Sequence, residues 1–323
     1  MKPLVSIIIP NYQRIEPTIR AAESVLSQSY ANWELILVDD GSDENVWKTL
    51  ISLYPSWKRE FIQFGKNQKS IQMFQREHKG VSATRNFAVA MSKGEWLCFL
   101  DSDDVWEPNK LTKQIEYHQL NPNVRISQTN ERWIRNGYPV PVLSKHQKKS
   151  GNFFQDALEL CLITPSSVMI RRDLWLEEGG FREELQACED YDLWVIILAK
   201  DEYVGLVEEN LLTRYGGHFD QLSAKFQAIE RFRIYALIKL LLEVESKLRS
   251  IDNLKKQMTI HSAISRLHLL LLGRQKRDKE CKPIQELLNC LDVWPPNITQ
   301  NQKITNINII ENLKFLLEES QFQ

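Results

Sequence analysis

Glu95-Trp96-Leu97-Cys98-Phe99-Leu100-Asp101-Ser102-Asp103-Asp104 is the stretch on which the fold turns. Its first half is a short apolar run, the length of a buried strand and too short for an ordinary helix. Lys93-Gly94 before it reads as the stop of a preceding helix. Three carboxylates then stand where the strand ends. In open α/β sheets, ligands bind outside the carboxyl ends of such strands. Three acids packed there repel one another unless a cation sits among them. Asp101 and Asp103 are separated by one residue, so on an extended tip they point the same way. Hard oxygen donors at that spacing suit Mg²⁺ or Mn²⁺ shared with a phosphate. The competing reading is an acidic turn, because Asp and Ser are common in turns and caps. Asp104 suits that reading best, as a cap before Trp106-Glu107-Pro108 and the helical run after it.

Upstream, one pattern repeats. Leu4-Val5-Ser6-Ile7-Ile8-Ile9 is β-branched and nearly all apolar, as expected of a strand buried on both faces, and Pro10-Asn11-Tyr12 ends it. Ile19, Ala22 and Leu26 then recur at helical spacing between Glu16 and Ser29. Trp33 to Val38 is a second strand running into Asp39-Asp40-Gly41-Ser42, and a helix follows from Glu44 to about Tyr54. Ile62-Gln63-Phe64 reads as a weak strand, Lys66 to Lys69 as a polar loop, and Val81 to Met91 as a helix. Strands alternating with helices specify a mostly parallel sheet covered by helices, an α/β fold. Two of the strands end in acids at one edge. Such an edge suits a nucleotide, with Asp40 accepting from a base N–H, the Tyr12 ring stacking on the base, and Asp101 and Asp103 holding a metal on a diphosphate. No Gly-x-Gly-x-x-Gly follows the first strand, which argues against the usual dinucleotide site.

The 323 residues accommodate one large domain and a smaller one. A hydrophobic fraction of 43% and a charged fraction of 26% are those of a soluble globular protein. A net charge of −1 lacks the basic excess of a nucleic-acid binder. Cys98, Cys161, Cys188, Cys281 and Cys290 are odd in number and form no Cys-x-x-Cys pair, which points to free thiols in a reducing compartment. The N-terminus enters a strand directly after Met1-Lys2-Pro3, without a signal peptide. No apolar stretch reaches the roughly 18 residues of a membrane span. A cytoplasmic location is expected.

Beyond Lys110 the alternation weakens. Val124 to Asn130 reads as a strand, and Ser144 to Gly151 as a polar, basic loop that is either solvated or in touch with an anionic substrate. Gly179-Gly180-Phe181 marks a sharp turn. Cys188-Glu189-Asp190-Tyr191-Asp192 opens a helix that runs to Ala199. Acids at a helix N-terminus are stabilised by about 0.3–1 kcal/mol by the dipole. The alternative is chemistry, in which Asp190 takes a proton from an attacking hydroxyl while Tyr191 and Asp192 serve the scaffold.

In chain order, seven pieces resemble the motifs of the family 2 glycosyltransferases, which have the GT-A fold. They are Val5-Ser6-Ile7-Ile8-Ile9-Pro10-Asn11-Tyr12, Ser24-Val25-Leu26-Ser27-Gln28, Leu37-Val38-Asp39-Asp40-Gly41-Ser42, Gly80-Val81-Ser82-Ala83-Thr84-Arg85-Asn86, Leu100-Asp101-Ser102-Asp103-Asp104, Gly179-Gly180-Phe181 and Glu189-Asp190-Tyr191-Asp192. Each is short; the ordered set is specific. The resemblance implies a nucleoside-diphosphate-sugar donor, UDP-sugars foremost. Pro10, Asn11 and Tyr12 are implied to line the base pocket, Asp40 to bind the base, and Arg85 to sit near the donor or pair with an acid. Asp101, Ser102 and Asp103 form the implied Asp-x-Asp motif, with Asp103 the direct ligand of Mn²⁺ or Mg²⁺ and Asp101 reaching the ribose or a metal-bound water. Asp190 is the implied catalytic base, with Glu189 the alternative. The implied reaction is one inverting displacement onto a hydroxyl of a glycan or lipid-linked saccharide, in cell-surface polysaccharide or glycoconjugate synthesis. The Gln-x-x-Arg-Trp and membrane spans of processive members are missing, which favours transfer of a single sugar. Two other readings stand beside this one. A sugar-1-phosphate nucleotidyltransferase usually carries a Gly-rich basic loop where Pro10-Asn11-Tyr12-Gln13-Arg14 stands. A non-catalytic nucleotide-sugar-binding scaffold would have no need of so full a set of acids.

The expected division is a GT-A domain over residues 1–217 and a helical region over 218–323. Leu211 to Ser223 reads as a polar bridge in which Gly216-Gly217 lets a lid move, with His218 at the metal or diphosphate, or simply on the surface. Helical periodicity runs from Ala224 to Gly273 with a break near Ser250 to Asn253, and shorter helices follow around 284–291 and 309–317. Leucine stripes there suit core or homodimer contact; rest on a membrane beside a lipid-linked acceptor is the alternative, without the strongly basic face it usually shows.

Overall fold

The structure, a computed structural model, describes residues 2–62, 69–217, 226, 228–294 and 302–318. The chain forms two compact units. The first takes residues 1–153, 162–183 and 201–218, and the second residues 154–161, 184–200 and 219–323.

The first unit opens with β1 (Val5–Asn11), α1 (Glu16–Leu26), β2 (Trp33–Asp39), α2 (Glu44–Ile62), β3 (Ser70–Gln75), α3 (Val81–Met91) and β4 (Trp96–Phe99). It continues through β5 (Val105–Trp106), α4 (Lys110–Leu120), β6 (Ile126–Arg135), β7 (Tyr138–Val140), β8 (Met169–Arg171), α6 (Arg172–Glu178) and β9 (Val204–Gly216). All nine strands form one sheet in the order β3-β2-β1-β4-β8-β6-β9-β5, with β7 on β6. β3, β2, β1 and β4 run parallel, and β8 then pairs antiparallel with both β4 and β6. β1, β2 and β4 are buried along their whole length, which is why they read as continuous apolar runs and not as alternations. Register puts Asn11 opposite Asp39, and Ile8 opposite Phe99. The residues that follow these three strands therefore leave the sheet along one edge.

Two sequence expectations are corrected. The third strand is Ser70–Gln75, and α2 takes in Ile62, the first residue of the expected weak strand; residues 63–68, which hold the rest of that strand and most of the expected loop, lie outside the described residues. Ile71 supplies the buried anchor of this edge strand, a weaker signal than the runs of β1 and β2. Leu211 to Gly216 is no bridge but the end of β9, paired with β6 from Glu131–Leu212 to Arg135–Gly216. Buried Leu211 and Leu212 hold it in place.

The second unit is helical: α5 (Phe154–Glu159), α7 (Glu189–Ala199), α8 (Glu230–Glu245), α9 (Asn253–Gln275), α10 (Lys282–Asp292) and α11 (Gln302–Leu317). After its acidic first turn α7 is apolar all round, with every residue from Tyr191 to Ala199 buried, so it must be covered on all sides. α5 and α8 pack against it. Lys255 of α9 donates to the Ala199 carbonyl (3.0 Å), a cation at the negative end of the α7 dipole. The break before α9 ends in Asp252, whose side chain accepts the Lys255 N–H and caps the helix. Among the described residues no helix is long and apolar enough to cross a membrane.

Candidate active site

The loops after β1 and β2 are locked together by Asp39. This buried carboxylate accepts from Asn11 Nδ2 (2.7 Å), Ser42 Oγ (2.6 Å), Ser42 N–H (3.0 Å) and Gln75 Nε2 (3.2 Å). Asn11 is 1% exposed and also accepts from Thr18, so its side chain is committed to the scaffold. Pro10 is buried within β1. Asp40 does something different. It gathers the turn that starts α3, accepting from Lys79 N–H (3.1 Å) and Gly80 N–H (2.8 Å), with His78 Nδ1 at 2.8 Å. Gly41 permits this: it has φ +77°, and a Cβ there would meet the His78 nitrogen at 2.7 Å. Tyr12 remains 44% exposed, with its ring stacked on His78 at a centroid distance of 4.3 Å. An aromatic pair thus lies beside a buried carboxylate at the end of β1 and β2.

After β4 the chain makes the acidic turn, held by Asp104 N–H donating to the Asp101 carbonyl (3.0 Å) and by Ser166 Oγ accepting the Asp101 N–H (3.1 Å). Ser102 is buried in it. Cations do sit among the three acids, and they are arginines. Arg85 Nη2 is 2.5 Å from Asp101 Oδ1, and Arg14 Nη1 is 2.7 Å from Asp103 Oδ2. Arg214 exerts the main opposing charge on Asp104. Burial pushes the carboxyls of both Asp103 and Asp104 up, most strongly Asp104, and the arginines offset part of this. Asp104 is not a helix cap: it is 4% exposed, accepts the Tyr215 N–H (3.3 Å), and the N-cap position of α4 is Asn109.

Arg85 and Asn86 connect this turn to the Gly179-Gly180-Phe181 corner. The Arg85 guanidinium lies 5.1 Å from the Phe181 ring centroid. Asn86 Nδ2 donates to the Phe181 carbonyl (2.7 Å) while its Oδ1 accepts the Phe181 N–H (3.1 Å), a two-point clamp. Gly180, at φ +75°, lets Trp175 and Asn86 approach where a Cβ would meet them at 2.9 and 3.0 Å.

A charged cluster that sequence reasoning missed lies on β6. Glu131 is 6% exposed and meets Lys148 (3.0 Å) and Arg214 (3.4 Å), and accepts from Trp133 Nε1 (2.7 Å) and Thr164 Oγ1 (3.0 Å). Burial alone raises its carboxyl, but Lys148 and Arg214 outweigh burial and hold it at about 2. Lys148 belongs to the stretch expected as a solvated loop; its side chain is 4% exposed.

In the helical unit, Asp190 stands at the start of α7. Its Oδ1 accepts the Tyr191 N–H (2.7 Å) and its Oδ2 accepts from the Cys161 thiol (3.4 Å). Glu189 beside it is 5% exposed, whereas Asp190 is only partly buried. Of the two acids, Asp190 is the more exposed. His218 lies outside the described residues.

Comparison with known proteins names the family. The model of glycosyl transferase family 2 matches residues 6–176. The chain belongs to glycosyltransferase family 2. An uncharacterised glycosyltransferase of Rickettsia bellii is 32% identical over 213 residues, 66% of this chain and 29% of that protein. The chain spans about a third of the length of the Rickettsia relatives it matches. The Escherichia coli UDP-Glc:alpha-D-GlcNAc-diphosphoundecaprenol beta-1,3-glucosyltransferase WfgD is 34% identical over 206 residues, 63% of this chain and 73% of WfgD. Staphylococcus aureus TarS 1-349, solved in complex with UDP, superposes with a TM-score of 0.65 at 14% identity, over 97% of this chain and 89% of that one. At that identity the likeness speaks to the fold alone, the GT-A α/β fold with a helical C-terminal region.

The chemistry of the acidic turn fits a divalent cation shared with a ligand. Asp101 and Asp103 offer hard oxygen donors, and among the described residues no group of three or more His, Cys, Asp or Glu forms a protein-only cage. A family 2 glycosyltransferase that holds a cation with so few side chains must draw the remaining ligands from a diphosphate and water. His78 and Arg14 are the site residues the sequence did not reveal. Nothing in their local spacing marks them, because Asp103, the partner of Arg14, lies on a different strand end.

Proposed function

We propose that this chain transfers a single sugar from a nucleoside-diphosphate sugar, with inversion, to a hydroxyl of a glycan or lipid-linked saccharide. The observation that carries this reading is the placement of Tyr12, Asp40, Asp101 and Asp103 where the parallel strands β1, β2 and β4 end, Tyr12 stacked on His78 and the three acids held by hydrogen bonds or ion pairs of their own. The base stacks against the Tyr12–His78 pair and donates an N–H to Asp40. Arg85 and Asp101 position the ribose and diphosphate. Mn²⁺ or Mg²⁺ held by Asp103 and Asp101 would neutralise charge on the departing diphosphate. Asp190 is the general base that takes the proton of the attacking hydroxyl, with Cys161 fixing its carboxylate. Glu189, the more buried of the two acids, is the alternative.

UDP is the favoured nucleotide, because WfgD is named for UDP-Glc and TarS was solved with UDP. The diphosphoundecaprenol in the name of WfgD favours a lipid-linked acceptor, and with it work at the cytoplasmic face of a membrane in cell-surface polysaccharide synthesis. Calorimetry with UDP, dTDP and GDP, each with and without Mn²⁺, tests the donor site. Metal-dependent binding of one nucleotide that is lost in Asp103→Ala is expected; no binding of any of the three would sink the reading. Asp190→Asn should abolish transfer while nucleotide binding stays within about twofold, as expected when only transition-state stabilisation is removed.

A further inference from the structure

Two acids of the turn after β4 are each paired with an arginine, Asp101 with Arg85 and Asp103 with Arg14. A divalent cation entering alone would add two positive charges beside these pairs, and its ligand Asp103 already holds a guanidinium at 2.7 Å. Two cations crowding one carboxylate repel each other, more strongly where water is scarce. The side chains of Arg14 and Asp103 are only 19% and 15% exposed. Departure of one partner relieves that repulsion.

Arg14 is built to be that partner. Its backbone is held: the neighbouring Gln13 N–H donates to Ser42 Oγ (2.7 Å), and the Thr18 hydroxyl, shared with Asn11 Oδ1, reaches the Arg14 carbonyl (3.0 Å). Only the side chain has to turn. Arg85 cannot make the same move, because its side chain is 4% exposed and its guanidinium is seated over Phe181. Arg14 also stands two residues after Tyr12, on the loop where the base is proposed to stack. A planar fork of donors released there matches the geometry of a phosphate.

We propose that Arg14 is a resident counter-ion of Asp103 that passes to the donor diphosphate when a divalent cation takes its place, so that metal and nucleotide enter as a pair. The inference rests on the nucleotide-sugar reading above. Its consequence is thermodynamic: each ligand opens the site for the other, and the coupling is reciprocal.

The test uses the intact chain and measures binding, not turnover. Free Mn²⁺ is followed by electron paramagnetic resonance, and UDP by calorimetry, each alone and then together. Wild type should bind Mn²⁺ alone weakly, and UDP should tighten it. Arg14→Gln removes the competing charge, so Mn²⁺ alone should bind about fivefold tighter or more, while the gain from adding UDP shrinks. Arg14→Lys keeps a charge on Asp103 and should bind Mn²⁺ alone as wild type does. If Arg14→Gln binds UDP with Mn²⁺ yet binds Mn²⁺ alone as wild type does, the counter-ion role is overturned and the nucleotide-sugar reading survives. Wild type that binds no nucleotide even with Mn²⁺ overturns both. Should Arg14→Gln fail to fold, wild type decides: Mn²⁺ affinity unchanged by UDP refutes the pairing.

Discussion

Asp39 and Asp40 are adjacent acids, and their hydrogen bonds separate their jobs. Asp39 takes four donors from Asn11, Ser42 and Gln75, all inside the scaffold. Replacing it with Ala leaves buried donors without partners, each costing about 1–3 kcal/mol. Asp39→Ala should therefore lose at least about 3 kcal/mol in urea unfolding. Asp40→Asn keeps the shape of the side chain but weakens acceptance from Lys79, Gly80 and His78. We expect it to lose about 1 kcal/mol of stability and at least tenfold in UDP affinity, because a base N–H would face a poorer acceptor. A binding constant unchanged by Asp40→Asn would remove Asp40 from the base pocket. These acids were legible in the sequence because a strand signal runs straight into them. Arg14 and His78 were not, since what defines each is a partner brought near by sheet register, Asp103 for one and Tyr12 for the other.

The elements differ in how plainly they announce themselves. β1, β2 and β4 are buried on both faces and read as unbroken apolar runs; α3 reads by its period. β3 at the sheet edge and the far end of β9 carry mixed residues, and their pairing depends on strands remote in sequence. The same remoteness hid β6 as an electrostatic element. α4 and β6 bring together two groups that make the fold acid-sensitive. Burial keeps His118 neutral and drops it to about 4, with its ring nitrogens at the Val124 carbonyl (3.0 Å) and Ser127 Oγ (2.9 Å). Its pKa is lower folded than unfolded, so its contribution is complete above the ordinary 6.5 and is lost as pH falls towards 4. Glu131 is likewise depressed, from 4.5 to about 2, so its contribution is complete above 4.5 and is lost towards 2. Each shift corresponds to a loss on the order of 3 kcal/mol. Urea unfolding at a series of pH values should thus show two successive declines. His118→Gln should flatten the first and spare the second, and Glu131→Gln the reverse. A wild-type stability flat between pH 6.5 and 4 would contradict the buried neutral histidine.

At the scale of the whole molecule, the composition of the helical unit bears on where the chain can be cut. A catalytic domain ending near residue 217 is the natural division from sequence, since the family resemblance stops there and helical periodicity follows. Yet residues 154–161 and 184–200 fold with the C-terminal helices, and they include Asp190. α7 has no polar face to turn to water: Leu193, Trp194, Val195, Ile196, Ile197 and Leu198 are all buried. α8 covers it, Lys255 of α9 holds its last carbonyls, and Arg266 of α9 holds the Glu159 carbonyl at the end of α5 (2.9 Å). A chain stopped after residue 217 loses all of these. Each large apolar side chain returned to water costs about 1.5–3 kcal/mol, so exposing several rivals the 5–15 kcal/mol that holds an ordinary domain together. We therefore expect the 1–217 fragment to lack a cooperative thermal transition and to bind a hydrophobic dye. The milder substitution Arg266→Ala should lower the melting temperature of the intact chain while leaving UDP affinity unchanged, because Arg266 serves α5 and not the nucleotide edge. A 1–217 fragment that melts cooperatively and keeps Asp190-dependent transfer would show that α7 needs no cover from the helices after it.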